Sequence, residues 1–303
     1  MRVHHLNCIS TCPLGGKLMD DRAATFLERG ELSCHCVLVE TPDSLVLIDT
    51  GLGRLDVLDP RSRLSKVFLG LVRPEFREEM TAVRQIERLG FRPSDVRHIV
   101  LTHLDFDHAG GLDDFPHATV HLLAAEHDAA VARETMLDRM RYRPQQWSTR
   151  PGWHLYTPGD GESWYGFEAV RDLAGLPPEI LLVPLRGHTY GHAGVAVRRN
   201  GDESGWLLCA GDAYFFHREM DPKDPWCTPG LRVYQWMMEK DRAARLRNQT
   251  RLRELRRAHR HEIEIFCSHD VREFERLSGR STKIPADRLL LDPPSQGGTI
   301  TRP

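Results

Sequence analysis

Short apolar runs that end in polar, glycine-bearing turns recur along the chain. The first, CVLVETPDSLVLIDTGLG over residues 36 to 53, predicts two strands joined by the turn Thr41-Pro42-Asp43-Ser44, and it delivers Asp49-Thr50-Gly51 to a loop. A second hairpin is expected in GVAVRRNGDESGWLLCAGDAYFF, turning at Asn200-Gly201-Asp202 and releasing Gly211-Asp212 after an apolar strand. Between them Val83, Ile86 and Leu89 recur at helical spacing over residues 81 to 92, with Gly90 as the stop. The next segment, VRHIVLTH, reads as a short buried strand that runs straight into LDFDHAGG. In the same way EILLVPL precedes the loop from Arg186 to His192, and EIEIFCS precedes His269-Asp270. Polar residues with chemical potential therefore gather at strand ends. Residues 54 to 80 and 126 to 165 keep neither period and read as helical insertions or loops beside a site mouth, whereas 233 to 262 predicts one long helix.

Composition narrows the class without naming a partner. With 303 residues, 40% of them hydrophobic and 28% charged, the chain can bury a substantial core in one domain spanning 1–303. A formal net charge of −2 supplies no global attraction to nucleic acid or to an anionic membrane, so the expected partner is a small-molecule substrate. The eight arginines between Arg242 and Arg260 are the local exception, and they read as a solvated helix face. No apolar run is long enough to span a bilayer and no secretory signal is apparent, so a cytoplasmic chain is expected; a homodimer is compatible with it. Seven cysteines at unpaired spacings read as reduced thiols. In Cys34-His35-Cys36, strand alternation would turn the two thiols to one face and the imidazole to the other.

The chemistry concentrates in THLDFDHAGG, where His103, Asp105, Asp107 and His108 fall within six residues. Side chains 103 and 105 can point the same way from an extended strand end while 107 and 108 follow the turn, so the stretch can serve two metal ions. His188, Asp212 and His269, each just past a strand, supply what two ions still need. Gly110-Gly111 lets the backbone pass close beneath such a site.

Asp49-Thr50-Gly51, THLDFDH, GHTYGH, Gly211-Asp212 and Ser268-His269 occur in one order between about residue 35 and residue 270, and in that order they resemble the metallo-β-lactamase-fold hydrolase superfamily. The resemblance implies an α/β fold, the αββα sandwich of two mixed β-sheets flanked by helices, with its metal site at one edge. It implies a first metal on His103, Asp105 and His188, a second on Asp107, His108 and His269, and Asp212 bridging them. Asp49 resembles the buried carboxylate that orients ligands from behind, and His192 a structural histidine. Asp105 departs from the pattern, since most members carry histidine there. A carboxylate is a harder donor, so two divalent ions, expected to be zinc, could here be iron or manganese.

The implied reaction is attack of a metal-bound hydroxide on a carbonyl carbon, with Asp107 relaying the proton and Tyr214 hydrogen-bonding the substrate oxygen. Chain length and the insertion after Asp49-Thr50-Gly51 look most like lactonases, with Phe68, Leu69, Leu71, Phe76, Trp147 and Trp153 as candidate acyl-pocket residues. A nuclease or phosphodiesterase of the same fold, using the arginine-rich helix, and an iron-dependent oxidoreductase, favoured by Asp105, are the rival readings.

Overall fold

The computed structural model describes residues 1–282 apart from 148–151, 158, 160 and 201–204, so Gly201 and Asp202 of the expected second turn lie outside the described residues. The first sheet runs in chain order through β1 (Arg2–Asn7), β2 (His35–Glu40), β3 (Leu45–Ile48), β4 (Val96–Val100), β5 (Thr119–Leu123) and β6 (Trp153–Tyr156). Its first three strands pair antiparallel and the rest parallel. The second sheet is built from β7 (Glu162–Trp164), β8 (Phe167–Asp172), β9 (Ile180–Pro184), β10 (Ala193–Arg199), β11 (Gly205–Cys209) and β12 (Ile263–Phe266), antiparallel except for the β11–β12 pair. Both sheets are mixed, as expected.

Alternation explains why the strand runs are apolar on both faces. Val37, Val39, Val46, Ile48 and Val100 face Ile180, Leu182, Val195, Val197 and Phe266 across the sandwich. Their neighbours Cys36, Leu38, Leu45, Leu47 and Ile99 face outward into a second cluster, completed by Val83 and Ile86. The helices are α1 (Arg54–Leu58), α2 (Pro60–Arg63), α3 (Lys66–Val72), α4 (Ala82–Arg88), α5 (Phe106–Ala109), α6 (Ala124–Ala132), α7 (Met136–Arg141), α8 (Pro229–Met238), α9 (Arg242–His259) and α10 (Val271–Ser278). Cys34 and Cys36 join the outer cluster while His35 turns inward, its Nε2 lying 2.8 Å from His5 Nδ1 and its ring against Phe266. All seven cysteines are free thiols.

Two expectations change. The stretch 126 to 165 is α-helical as far as Arg141 and has a 3-10 turn at Pro144–Gln146; beyond it, β6 and β7 each supply an edge strand to one of the sheets. The long helix expected over 233 to 262 is broken between Met238 and Arg242. There Lys240 and Asp241 donate their backbone N–H groups to the carbonyl of Gly187, at 2.9 and 3.0 Å, and the Asp241 carboxylate caps α9 by accepting from Ala244 N at 2.9 Å. Docking onto the loop after β9 therefore overrides helical propensity. Several arginines of α9 are engaged in packing: Arg245 is buried against Glu239 at 2.6 Å, and Arg251 lies over the Phe167 ring at 4.2 Å.

In the first turn of α10, Glu273 is fully enclosed and accepts hydrogen bonds from Cys267 N at 2.8 Å and from the Tyr214 hydroxyl at 3.0 Å. Burial, reinforced by Asp270, pushes its carboxyl up to about 8. The unfolded chain releases this proton near 4.5 while the folded chain keeps it to about 8, so the group costs stability progressively as pH rises through that window. Glu273→Gln is therefore expected to gain in Tm relative to the parent between roughly pH 5 and pH 8, with no further gain above it, when both are followed by calorimetry across pH. Leu182→Ala, at a fully buried position between the sheets, is expected to lose about 2–5 kcal/mol in urea unfolding.

Candidate metal centre

Five strands of the two sheets deliver their C-terminal ends to one edge of the sandwich. Asp49 follows β3, residues 102 to 108 follow β4 and lead into α5, His188 follows β9, Asp212 follows β11, and His269 follows β12. Asp49 takes a left-handed backbone conformation, φ 53°. From there its carboxylate accepts from Thr102 N and Thr102 Oγ1, each at 2.8 Å, and holds His108 Nδ1 at 2.8 Å. The same loop is tied from the other side, where Thr50 N donates to the His108 carbonyl at 2.8 Å and Gly111 N to the Gly51 carbonyl at 3.0 Å. A Cβ at Gly111 would crowd the Thr50 carbonyl, which is the close backbone approach expected of this glycine pair.

The anchored Nδ1 atoms decide where the other ring nitrogens point. His108 Nδ1 is held by Asp49, His269 Nδ1 by the Ser33 carbonyl at 2.8 Å, and His103 Nδ1 lies 2.9 Å from Thr102 Oγ1. Each Nε2 consequently faces Asp212: Oδ1 is 3.3 Å from His108 Nε2 and 3.2 Å from His269 Nε2, and Oδ2 is 3.8 Å from His103 Nε2. Asp107 Oδ2 adds a further oxygen 3.8 Å from His269 Nε2. His103 Nε2, His108 Nε2 and Asp212 Oδ1 are buried without a hydrogen-bond partner, a costly arrangement that a metal ion would relieve. Ligand atoms converge in the groups Asp107–His108–His269, His103–His108–Asp212 and His103–Asp105–His188. The residues present therefore fit a divalent ion around His108, His269, Asp107 and Asp212.

The third group is different, because Arg141 from the end of α7 reaches into it. Its Nε and Nη2 grip the two oxygens of Asp105 at 2.6 Å each, and Nη2 also lies 2.7 Å from His188 Nε2. No sequence signal singled out Arg141. A buried carboxylate where a neutral ring is usual does demand a cation, but 41 lysines and arginines offer too many choices.

The electrostatics favour positive charge at this edge. Burial opposes ionisation of Asp105, yet the Arg141 guanidinium and His103 hold its carboxyl well below the usual range. For Asp212 burial is likewise outweighed, here by His269 and His108, and the pair Asp212 and Asp49 drives His108 upward against its own burial. His192 is no ligand: its Nδ1 lies 3.0 Å from the Leu185 carbonyl, and its Nε2 accepts from Asp212 N at 2.9 Å, fixing the aspartate's backbone. Glu126, which the sequence did not flag, joins the two histidine loops by accepting from Leu104 N at 3.0 Å, Thr189 Oγ1 at 2.5 Å and Gly191 N at 3.2 Å.

Tyr214 is not a substrate-facing residue, contrary to expectation. Strand-end geometry turns its ring into the core beneath β11, where the hydroxyl bonds Glu273. The tyrosine beside the metal-ligand cluster is Tyr234 on α8; burial, then the charges of Asp107, Asp212 and Asp105, push its hydroxyl well above the ordinary value. Tyr234, Asp107, Arg141 and His269 share a cavity of about 480 Å³ whose walls are mainly apolar, among them Phe68, Leu71, Phe106, Leu137, Met140, Phe215 and Met237. Of the expected acyl-pocket residues, Phe68 and Leu71 line it; Leu69 and Phe76 pack behind it, and Trp147 and Trp153 belong to the outer core. Thr11 and Pro13 show that the segment after β1 forms part of the wall.

Comparison with known proteins agrees with this geometry. The chain is 41% identical over 272 residues to a protein of Mycobacterium tuberculosis named as a probable metallo-hydrolase, covering 89% of this chain and 80% of that one. It is 30% identical over 174 residues to an N-acyl homoserine lactonase of Bacillus cereus, covering 53% of this chain and 70% of the relative. A solved N-acyl homoserine lactone hydrolase with N-hexanoyl-L-homoserine at its catalytic metal centre shares the fold with a TM-score of 0.67 at 22% identity, covering 92% of this chain and 96% of that one. A dizinc quorum-quenching lactonase, with 88% and 87% of the two chains covered, shares it with a TM-score of 0.56 at 17% identity. A model of the metallo-beta-lactamase superfamily matches residues 29–248, and with the αββα sandwich and the strand-end ligand cluster this places the chain in that superfamily, as a metallo-hydrolase of lactonase-like fold.

Proposed function

We propose that this metallo-hydrolase opens a lactone, or cleaves a closely related ester, that carries an apolar acyl group. The observation that carries the reading is the apolar cavity of about 480 Å³ that ends on Asp107 and His269. A neutral acyl chain gains about 0.8 kcal/mol per methylene buried in such a space. A phosphodiester would instead need free cationic donors, and the guanidinium that lines the cavity, Arg141, has its N–H groups committed to protein atoms.

His108, His269, Asp107 and Asp212 would hold a divalent ion, which would supply Lewis acidity toward a carbonyl oxygen and a water. Asp49 and the Ser33 carbonyl keep the histidines in the tautomer that leaves Nε2 free. Asp107, half-buried at the cavity floor, is placed to hold the proton and pass it to the leaving alkoxide. Tyr234 is placed to donate to the substrate oxygen in the role expected of Tyr214. Two imidazoles with carboxylates suit zinc, and because Asp105 spends its oxygens on Arg141 the ground for preferring iron or manganese is weakened. Among the described residues no helix is long and apolar enough to cross a membrane, and with its free thiols we take the working compartment to be the cytoplasm.

Hydrolysis of a panel of lactones with graded acyl chains, beside a phosphodiester, tests this reading. Longer apolar chains are expected to raise kcat/KM, chelation to abolish turnover, and zinc to restore it; a preference for the phosphodiester would overturn the reading. Tyr234→Phe is expected to lower kcat/KM about ten-fold, the worth of one hydrogen bond, whereas Tyr214→Phe leaves it unchanged.

A further inference from the structure

The Arg141 guanidinium has five N–H groups, and all five are spent. Nε donates to Asp105 Oδ1 at 2.6 Å; Nη2 donates to Asp105 Oδ2 at 2.6 Å and to His188 Nε2 at 2.7 Å; Nη1 donates to the carbonyls of Met238 at 2.8 Å and His188 at 3.3 Å. Since a guanidinium can only donate, His188 Nε2 must accept, and the single lone pair it would offer to a metal is taken. The opposite ring atom, Nδ1, is buried without a partner. In the group His103–Asp105–His188, the Asp105 oxygens and His188 Nε2 are committed to Arg141, leaving His103 Nε2 and the opposite ring atom of His188, whereas His108 Nε2, His103 Nε2 and Asp212 Oδ1 stand free on the other side.

Arg141 is also held in place. A backbone bridge joins its neighbour Tyr142 to Asp105, and one turn earlier Asp138 pairs with Lys240 at 2.6 Å. The side chain is fully buried, so its charge is fixed at this position.

We propose that the two cation positions of this centre are unequal: the guanidinium of Arg141 is the resident cation of the His103–Asp105–His188 position, and one metal ion per chain binds tightly, in the set of His108, His269, Asp107 and Asp212. The inference rests on the metal-centre reading, not on the lactone. The pair of Asp105 and Arg141 carries no net charge, as a histidine at 105 would carry none, so the joint exchange Asp105→His with Arg141→Met preserves the charge of the site while vacating the position.

The test is zinc stoichiometry, by elemental analysis after loading and desalting and by competition with a chromophoric chelator, on the full chain and on D105H/R141M and R141M. The expected result is one tight equivalent in the parent, with any second bound at least ten-fold more weakly, and two tight equivalents in D105H/R141M. Two tight equivalents in the parent would overturn the proposal and leave the metal-centre reading intact; none would overturn both. A folded D105H/R141M chain that still binds one equivalent would also overturn it. Should neither variant fold, the count in the parent decides.

Discussion

Four carboxylates, Asp49, Asp105, Asp107 and Asp212, converge at one edge of the sandwich, three of them almost wholly buried. Ionised groups out of water cost several kcal/mol each unless paired, so this edge exists only because other groups compensate it. Asp49 is met by Thr102 and His108, Asp105 by Arg141, and Asp212 by a ring of imidazoles whose free Nε2 atoms face its oxygens. What remains uncompensated, around Asp107, Asp212 and His108, is where a metal ion belongs.

The rest of the fold supplies the rigidity this charge cluster requires. The aliphatic layer between the sheets fixes the strands, and β4, β9, β11 and β12 each end where the following loop contributes one or more candidate ligands. Loops alone would not hold those atoms within a few ångströms of one another. Asp49 in its left-handed turn, Glu126 between the two histidine loops, and His192 on the Asp212 backbone tie the loops to the sheets. None of the three needs to touch a substrate to matter for the chemistry, because a ligand's position is set by what holds its far side.

Arg141 changes what the departure at Asp105 means. Taken alone, the extra carboxylate suggests a harder, more anionic metal site. Paired with a guanidinium along both oxygens, it becomes part of a neutral unit, and it carries α7 and the end of α8 to the metal-binding loop. These two helices also bring Leu137, Met140, Tyr234 and Met237 to the cavity wall. One ion pair thus couples the electrostatics of the centre to the shape of the space above it.

The sequence by itself determined the strands that end in candidate metal donors, their order around aspartate-bearing turns, and the candidate donor set, because strand periodicity and metal-donor residue types are local properties readable within a few positions; β1 and β5 to β8 were not read from it. His103, Asp105, Asp107, His108, His188, Asp212 and His269 were all legible in this way, and the structure brings them to one edge. Arg141, Glu126 and Tyr234 were not, since each acts on a residue far away in the chain and nothing near it in sequence marks that meeting. Tyr214 was misread for the same reason: proximity to Asp212 along the chain says nothing of which way a strand-end ring turns, and packing turned it to Glu273. Tertiary structure alone decided which lone pairs are spent and which stand free, because that depends on long-range hydrogen bonds that the burial of charge makes obligatory.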